Sequence, residues 1–304
     1  MLIINRINIL LAVIVFFLLL LYIFAVHADT NVIDNLIQDP HIEIDPKFPI
    51  LHARNGKTLR VMVVDTGVDV DSYPNLKKRV RDKYYSKFSI DYVDRLGHGT
   101  AVSNLTMNDV CDDVELESCN YYDGGINKVD ESIKCYRRAI DKGFDVINYS
   151  STGNSLVPQE MIVMEELKND NITFFTVSGN EGKRIYKVSQ EEVGEAIKQY
   201  TIKNHSTPYF DDVGDFLPKG RNYTFPASFA YDNMVVVGGL GADGRKSQIS
   251  NWGWPIHWAL GVDVPLKYPH GKQMMGSGTS FAVAIYLNRR IKDFCSELHK
   301  GDDK

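Results

Sequence analysis

Apolar and polar positions divide the chain into three stretches of different character. From Ile9 to Val26, eighteen consecutive residues carry no charge and no strongly polar side chain. Residues 29–58 are acidic and punctuated by Pro40, Pro46 and Pro49, which suits a short extended connector. From residue 59 onward, short apolar runs bounded by turn residues recur: LRVMVV (59–64), VELESCNYY (114–122), DVIN (145–148), NITFFTV (171–177) and NMVVVGG (233–239). Runs of this kind read as buried parallel strands. Helical patterns lie between them, notably DESIKCYRRAIDKG (130–143) and PQEMIVMEELKND (158–170). Strands alternating with helices of ten to fifteen residues predict βαβ units, hence an α/β fold with a mainly parallel central sheet flanked by helices.

The first stretch reads as a targeting segment. Arg6 precedes the apolar run, and Asp29, Asp34, Asp39, Glu43 and Asp45 follow it. That asymmetry holds Arg6 in the cytoplasm and sends the rest of the chain across the membrane. Residues 1–28 are a signal peptide or a transmembrane signal anchor. Val26-His27-Ala28 suits cleavage, while eighteen apolar residues suffice to span a bilayer, and both readings stand. The expected localisation is extracytoplasmic, either secreted or single-pass, with membrane contact through residues 9–26 if the segment is retained.

Composition narrows the classes of function. With 34 basic and 39 acidic residues, a formal charge of -5 leaves no electrostatic footprint for nucleic acid. The four cysteines, Cys111, Cys119, Cys135 and Cys295, are too few for a disulfide-built scaffold, but export permits bonds, with three complete pairings open. No CxxC or HExxH pattern marks a metal site. Glycosylation sequons begin at Asn104, Asn148, Asn171, Asn204 and Asn222 and matter only in a host that uses them.

Open α/β sheets place their chemistry at the carboxyl ends of the strands. Asp65 follows LRVMVV there, in DTGVD. His98 sits between glycines in LGHGTAV, at what reads as a helix start. Ser280, in GSGTSFA, stands at the mouth of an apolar helical segment. Singly these are a turn cap, a structural histidine and an N-cap. Together they are a carboxylate, a base and a hydroxyl, the three groups that nucleophilic catalysis by serine requires. One other motif competes: GLGADG (239–244) has the spacing of a dinucleotide-binding loop. Its continuation, RKSQISNWGWP, reads as a turn and a short strand where that motif needs a helix.

In the order Asp65, His98, Ser280, with these contexts, the chain resembles the subtilases over roughly residues 59–290. DTGVD resembles the family's segment around its Asp, GHGTAV that around its His, and GSGTSFA that around its Ser. TVSGNEG (176–182) resembles the segment that supplies an oxyanion-binding Asn, here Asn180. NYSSTG (148–153) resembles the stretch that lines substrate, and Pro226-Ala227-Ser228 before MVVVGG is a weaker match. The resemblance implies a three-layer subtilisin-like fold over 59–304 and a serine endopeptidase with Asp65, His98 and Ser280 as catalytic residues. It implies Asn180 in the oxyanion hole, and Ser150, Ser151, Thr152, Gly153 and Gly179 against a polypeptide substrate.

Four departures qualify that resemblance. Residues 29–58 are far shorter than the family's usual folding prodomain. Asn75 replaces a calcium-ligand Asp and the path after His98 is short, so no cofactor is expected: the strong calcium site should be absent, although acidic loops could hold a weak one. An insertion, about 183–222, contains a predicted helix from Ser189 to His205 with a Ser189/Glu192 capping box. Ala284 stands where the serine helix usually has Pro. The short prodomain also leaves an alternative, a catalytically silent subtilisin-like module that binds a partner at the membrane surface.

Overall fold

The computed structural model describes residues 51–85, 93–122, 129–189, 191–195, 198, 217–218, 220–254 and 256–300. The apolar segment 9–26 and most of the connector 29–58 lie outside the described residues. So does much of the expected helix 189–205. Among the described residues no helix is long and apolar enough to cross a membrane.

The first apolar run forms β1 (Leu59–Asp65), an interior strand of a seven-stranded sheet. Its neighbours on one side are β3 (Val114–Asn120) and then β2 (Val80–Tyr85); on the other come β4 (Val146–Tyr149), β5 (Thr173–Val177), β7 (Met234–Leu240) and β9 (His257–Leu260). Every pairing in this sheet is parallel. Two-stranded pairs complete the strands: β6 (Arg184–Ile185) with β8 (Trp252–Gly253), and the hairpin of β10 (Val264–Lys267) with β11 (Gln273–Gly276).

Continuous apolar runs form this sheet because helices cover both of its faces. Alternate residues of β1 divide between two cores. Val61 and Val63 pack with α2 (His98–Thr106) and α5 (Thr279–Lys300), through Ala101, Val102, Val283, Leu287 and Ile291. Met62 and Val64 pack on the opposite face with α3 (Val129–Lys142) and α4 (Pro158–Asn169), through Ile133, Tyr136, Met161 and Leu167. The outcome is the expected three-layer α/β architecture. A short α1 (Pro74–Arg79) leads into β2.

Four details refine the sequence expectations. Strand β3 stops at Asn120, so Tyr121 and Tyr122 leave the sheet. The pairings are Cys111–Cys295 and Cys119–Cys135, one of the three that were open. GLGADG runs into a tight turn, with the Gly241 amide donating to Arg245 and Leu240 bridging Lys246, and no helix follows to face a pyrophosphate. The capping box is present: the Ser189 amide donates to Glu192 at 2.6 Å, and the Glu192 amide to the Ser189 hydroxyl at 3.1 Å. Residues 191–195 are helical. The roots of the insertion lie side by side, the Tyr186 amide donating to the Asn222 carbonyl at 3.0 Å.

Candidate active site

Sheet order assembles the site. Strands β1, β4 and β5 are adjacent and parallel, so their carboxyl ends share one edge. Asp65 closes β1, Ser150 follows β4, and Asn180 lies just beyond β5. The two helices that bring the remaining groups, α2 and α5, pack together on one face, each with its first turn at this edge.

Asp65 is buried and His98 is its partner: Nδ1 of the ring lies 2.8 Å from the carboxylate Oδ1, which also accepts the Thr66 amide at 2.8 Å. His98 is the first residue of α2. The next residue, Gly99, meets the β1 turn so closely that a Cβ there would lie 2.3 Å from the Gly67 carbonyl oxygen. Only glycine lets helix and strand end approach this far. Burial pulls the imidazole toward its neutral form, but the Asp65 charge, the hydrogen bond to it and the Asp94 charge outweigh burial, and the pKa rises above its ordinary value.

Ser280 is the second residue of α5 and largely buried. Its hydroxyl donates to the Ser150 carbonyl oxygen at 3.0 Å, a bond that must break before the proton can pass to His98. The two halves of the site meet through Phe281, whose ring centroid lies 5.6 Å from that of His98. Amides in a helix's first turn have no intrahelical acceptor, and the helix dipole makes that end positive. The Ser280 N–H is one of these. Asn180 lies beside it. Its Oδ1 accepts both the Thr279 amide at 2.9 Å and the Thr279 hydroxyl at 3.0 Å, which leaves Nδ2 as its free donor end.

The residues expected to line substrate run along the same edge. Ser150 is buried, with its hydroxyl accepting from Asn148 Nδ2 at 3.0 Å; Ser151 and Thr152 are half-buried and Gly153 is exposed. Gly153 pairs with Phe225 in an antiparallel bridge, so the chain returning from the insertion forms the wall opposite this stretch. Phe225–Pro226 is a cis peptide bond. Gly179 has φ +104°, and a Cβ there would meet Asn251 Nδ2 at 2.4 Å.

Two residues at the edge were not identified from sequence. Asn251 organises the Asn180 loop: its Nδ2 donates to the Ser178 carbonyl and to Glu181, and its Oδ1 accepts the Lys183 amide. Its surroundings, ISNWG, carry no recognisable pattern. Asp94 is a buried carboxylate at the root of α2. Its place three residues before Gly97 was a legible signal, since Asp side chains bind amides just ahead of helices. Among the described residues no three His, Cys, Asp or Glu side chains gather as a cation site.

Comparison with known proteins agrees with this fold. The model of the subtilase family matches residues 56–285. A lanthipeptide protease has a similar structure, with TM-score 0.61 and 19% identity, over 80% of this chain and 74% of that one. The nisin leader peptidase NisP from Lactococcus lactis gives TM-score 0.58 and 18% identity over 79% and 78%. The epidermin leader peptide processing protease EpiP from Staphylococcus aureus gives 0.59 and 16% over 80% and 68%. No curated protein matches the sequence.

Proposed function

The chain belongs to the subtilase family of serine peptidases, and from that premise we propose that it is an exported endopeptidase in which Asp65, His98 and Ser280 act as one set. The observation that carries this reading is the contact of the half-buried His98 with the buried Asp65 at 2.8 Å, with the first turn of the Ser280 helix packed beside it.

The reaction follows from the groups in place. Ser280 turns its hydroxyl from the Ser150 carbonyl to the free ring nitrogen of His98. His98 takes the proton as Oγ bonds to the scissile carbonyl carbon. Asp65 holds the imidazole in the tautomer that exposes Nε2, and stabilises the cation that forms. The carbonyl electron pair moves onto oxygen, which receives Asn180 Nδ2–H and the Ser280 amide. The C–N bond then breaks, His98 returns its proton to the leaving amine, and water resolves the acyl-enzyme by the same steps.

Two disulfides formed by all four cysteines support an oxidising compartment, as does the uncharged run 9–26. The substrate class is an extended polypeptide along Ser150–Gly153. From the structurally similar leader peptidases we extend only that class, an unfolded peptide segment. Incubating the chain with a mixed peptide pool and reading new termini by mass spectrometry tests the reading. Cleavage by the wild type that disappears in Ser280→Ala and His98→Ala is expected. Cleavage that persists in Ser280→Ala, or a folded wild type that cuts nothing, contradicts it.

A further inference from the structure

Asp94 lies outside the set just described, yet it is a buried carboxylate that binds both the turn after Asp65 and the first turn of the His98 helix. Its Oδ1 accepts the Gly97 amide at 2.7 Å and the Thr66 hydroxyl at 2.8 Å; its Oδ2 accepts the Thr100 amide at 2.6 Å. The Thr66 oxygen in turn receives the Gly99 amide at 2.8 Å, so its own proton points to Asp94. Each of these contacts to Asp94 is a donor, the pattern of an ionised carboxylate. Gly97, Gly99 and Thr100 begin α2, while Thr66 follows Asp65 and donates its amide to that same Asp65 carboxylate.

We propose that Asp94 is a positioning residue of the active site, joining the Asp65–Thr66 turn to the first turn of the His98 helix so that the two halves of the Asp65–His98 pair move as one body. The inference rests on the catalytic reading above. Without the Asp94 link, the 2.8 Å distance between Asp65 and His98 would rest on packing and on single bonds, from the Gly99 amide to Thr66 and from the Asp69 amide to Thr100. A buried charge this close also favours the imidazolium that catalysis generates. Burial raises the Asp94 carboxyl above its ordinary range, and the donors from Thr100, Thr66 and Gly97 offset only part of that rise.

The other ionisable groups around His98 keep the same contacts in both variants. Asp65 is its direct partner. Tyr268, whose ring abuts Gly97, is raised by burial and by the Asp94 and Asp65 charges, so it stays neutral in the acid range. Asp69 is bound by the Ser72 hydroxyl and the His270 amide, and Arg95 is exposed.

The test is the rate at which a fluorophosphonate labels the full chain as a function of pH, which reads the limiting reactivity and the His98 midpoint separately. Asp94→Asn removes the charge; Thr66→Val keeps it and cuts the link, together with the bond from the Gly99 amide. The expected result is a limiting rate lowered about tenfold or more in both variants. The acid midpoint should move down by about half a unit or more in Asp94→Asn alone. A folded Thr66→Val at the wild-type limiting rate overturns the proposal even if Asp94→Asn fails to fold. A folded Asp94→Asn with an unmoved midpoint overturns it as well, because a mere helix cap changes stability and not titration. A wild type that never labels removes the catalytic reading itself, a failure distinct from the others.

Discussion

His98 sets the working pH. Its pKa lies above the roughly 6.5 of a free imidazole, because the Asp65 charge and hydrogen bond and the Asp94 charge together outweigh burial. A general base must be neutral, so activity is lost as pH falls through that raised value. A kcat/KM profile should therefore show its acid midpoint above about 6.5, and a midpoint below 6 would contradict the ion-pair account. Asn180 offers a sharper reading, since Thr279 occupies its oxygen and only Nδ2 is left to serve the oxyanion. Asn180→Ala should lower kcat by about 10²–10³ with little change in KM, a magnitude measured on a subtilisin itself. An equal loss through KM would assign Asn180 to ground-state binding.

Glu160 matters at the same scale, for stability. It is buried, and desolvation pushes its carboxyl up to about 8. Between about 4.5 and 8 the unfolded chain has released a proton that the folded chain keeps, so stability falls as pH rises across that window. At pH 7 the cost is about 3 kcal/mol. Glu160→Gln, which cannot ionise, should flatten thermal stability between pH 5 and 8. An unchanged pH dependence would show that Glu160 is not the group responsible.

Among the elements, α2 and α5 decide the geometry, because one carries His98 and the other Ser280. Two ties hold them together. Asn288 of α5 donates to the Thr106 and Asn108 carbonyls at the end of α2, at 3.0 and 2.7 Å. The Cys111–Cys295 disulfide joins the following loop to α5. That bond spans 184 residues, against 16 for Cys119–Cys135. On loop entropy it is worth about 5 kcal/mol, and the shorter loop about 3. Replacing Cys111 and Cys295 by Ser should lower the denaturation midpoint more than replacing Cys119 and Cys135. The reverse order would show that local packing, and not chain closure, dominates. Elements of this size were legible in sequence because buried strands show as uninterrupted Val-rich runs, as in LRVMVV. The disulfide pairing was not, because it depends on α2 and α5 meeting on one face, which periodicity does not encode. The two-residue strands β6 and β8 are too short to leave a period.

Across the whole molecule, the parallel sheet order turns residues separated by more than two hundred positions into neighbours at one edge. Asp65, His98, Asn180 and Ser280 were legible because each sits in a short motif with small residues around it. Asn251 was not, since its role is to bind backbone groups of a loop whose position only the fold defines, while the place of Asp94 ahead of a helix start was a signal left unread. The hydroxyl of Ser280 on the Ser150 carbonyl also had no sequence signal, as it is a choice of rotamer. The central claim is that these groups form an activated serine. The most direct measurement is fluorophosphonate labelling of the full chain, with the modified residue located by peptide mass spectrometry. A single adduct on Ser280, absent from Ser280→Ala and strongly reduced in His98→Ala, is the predicted result. An unlabelled folded chain, or an adduct elsewhere that survives Ser280→Ala, would contradict it.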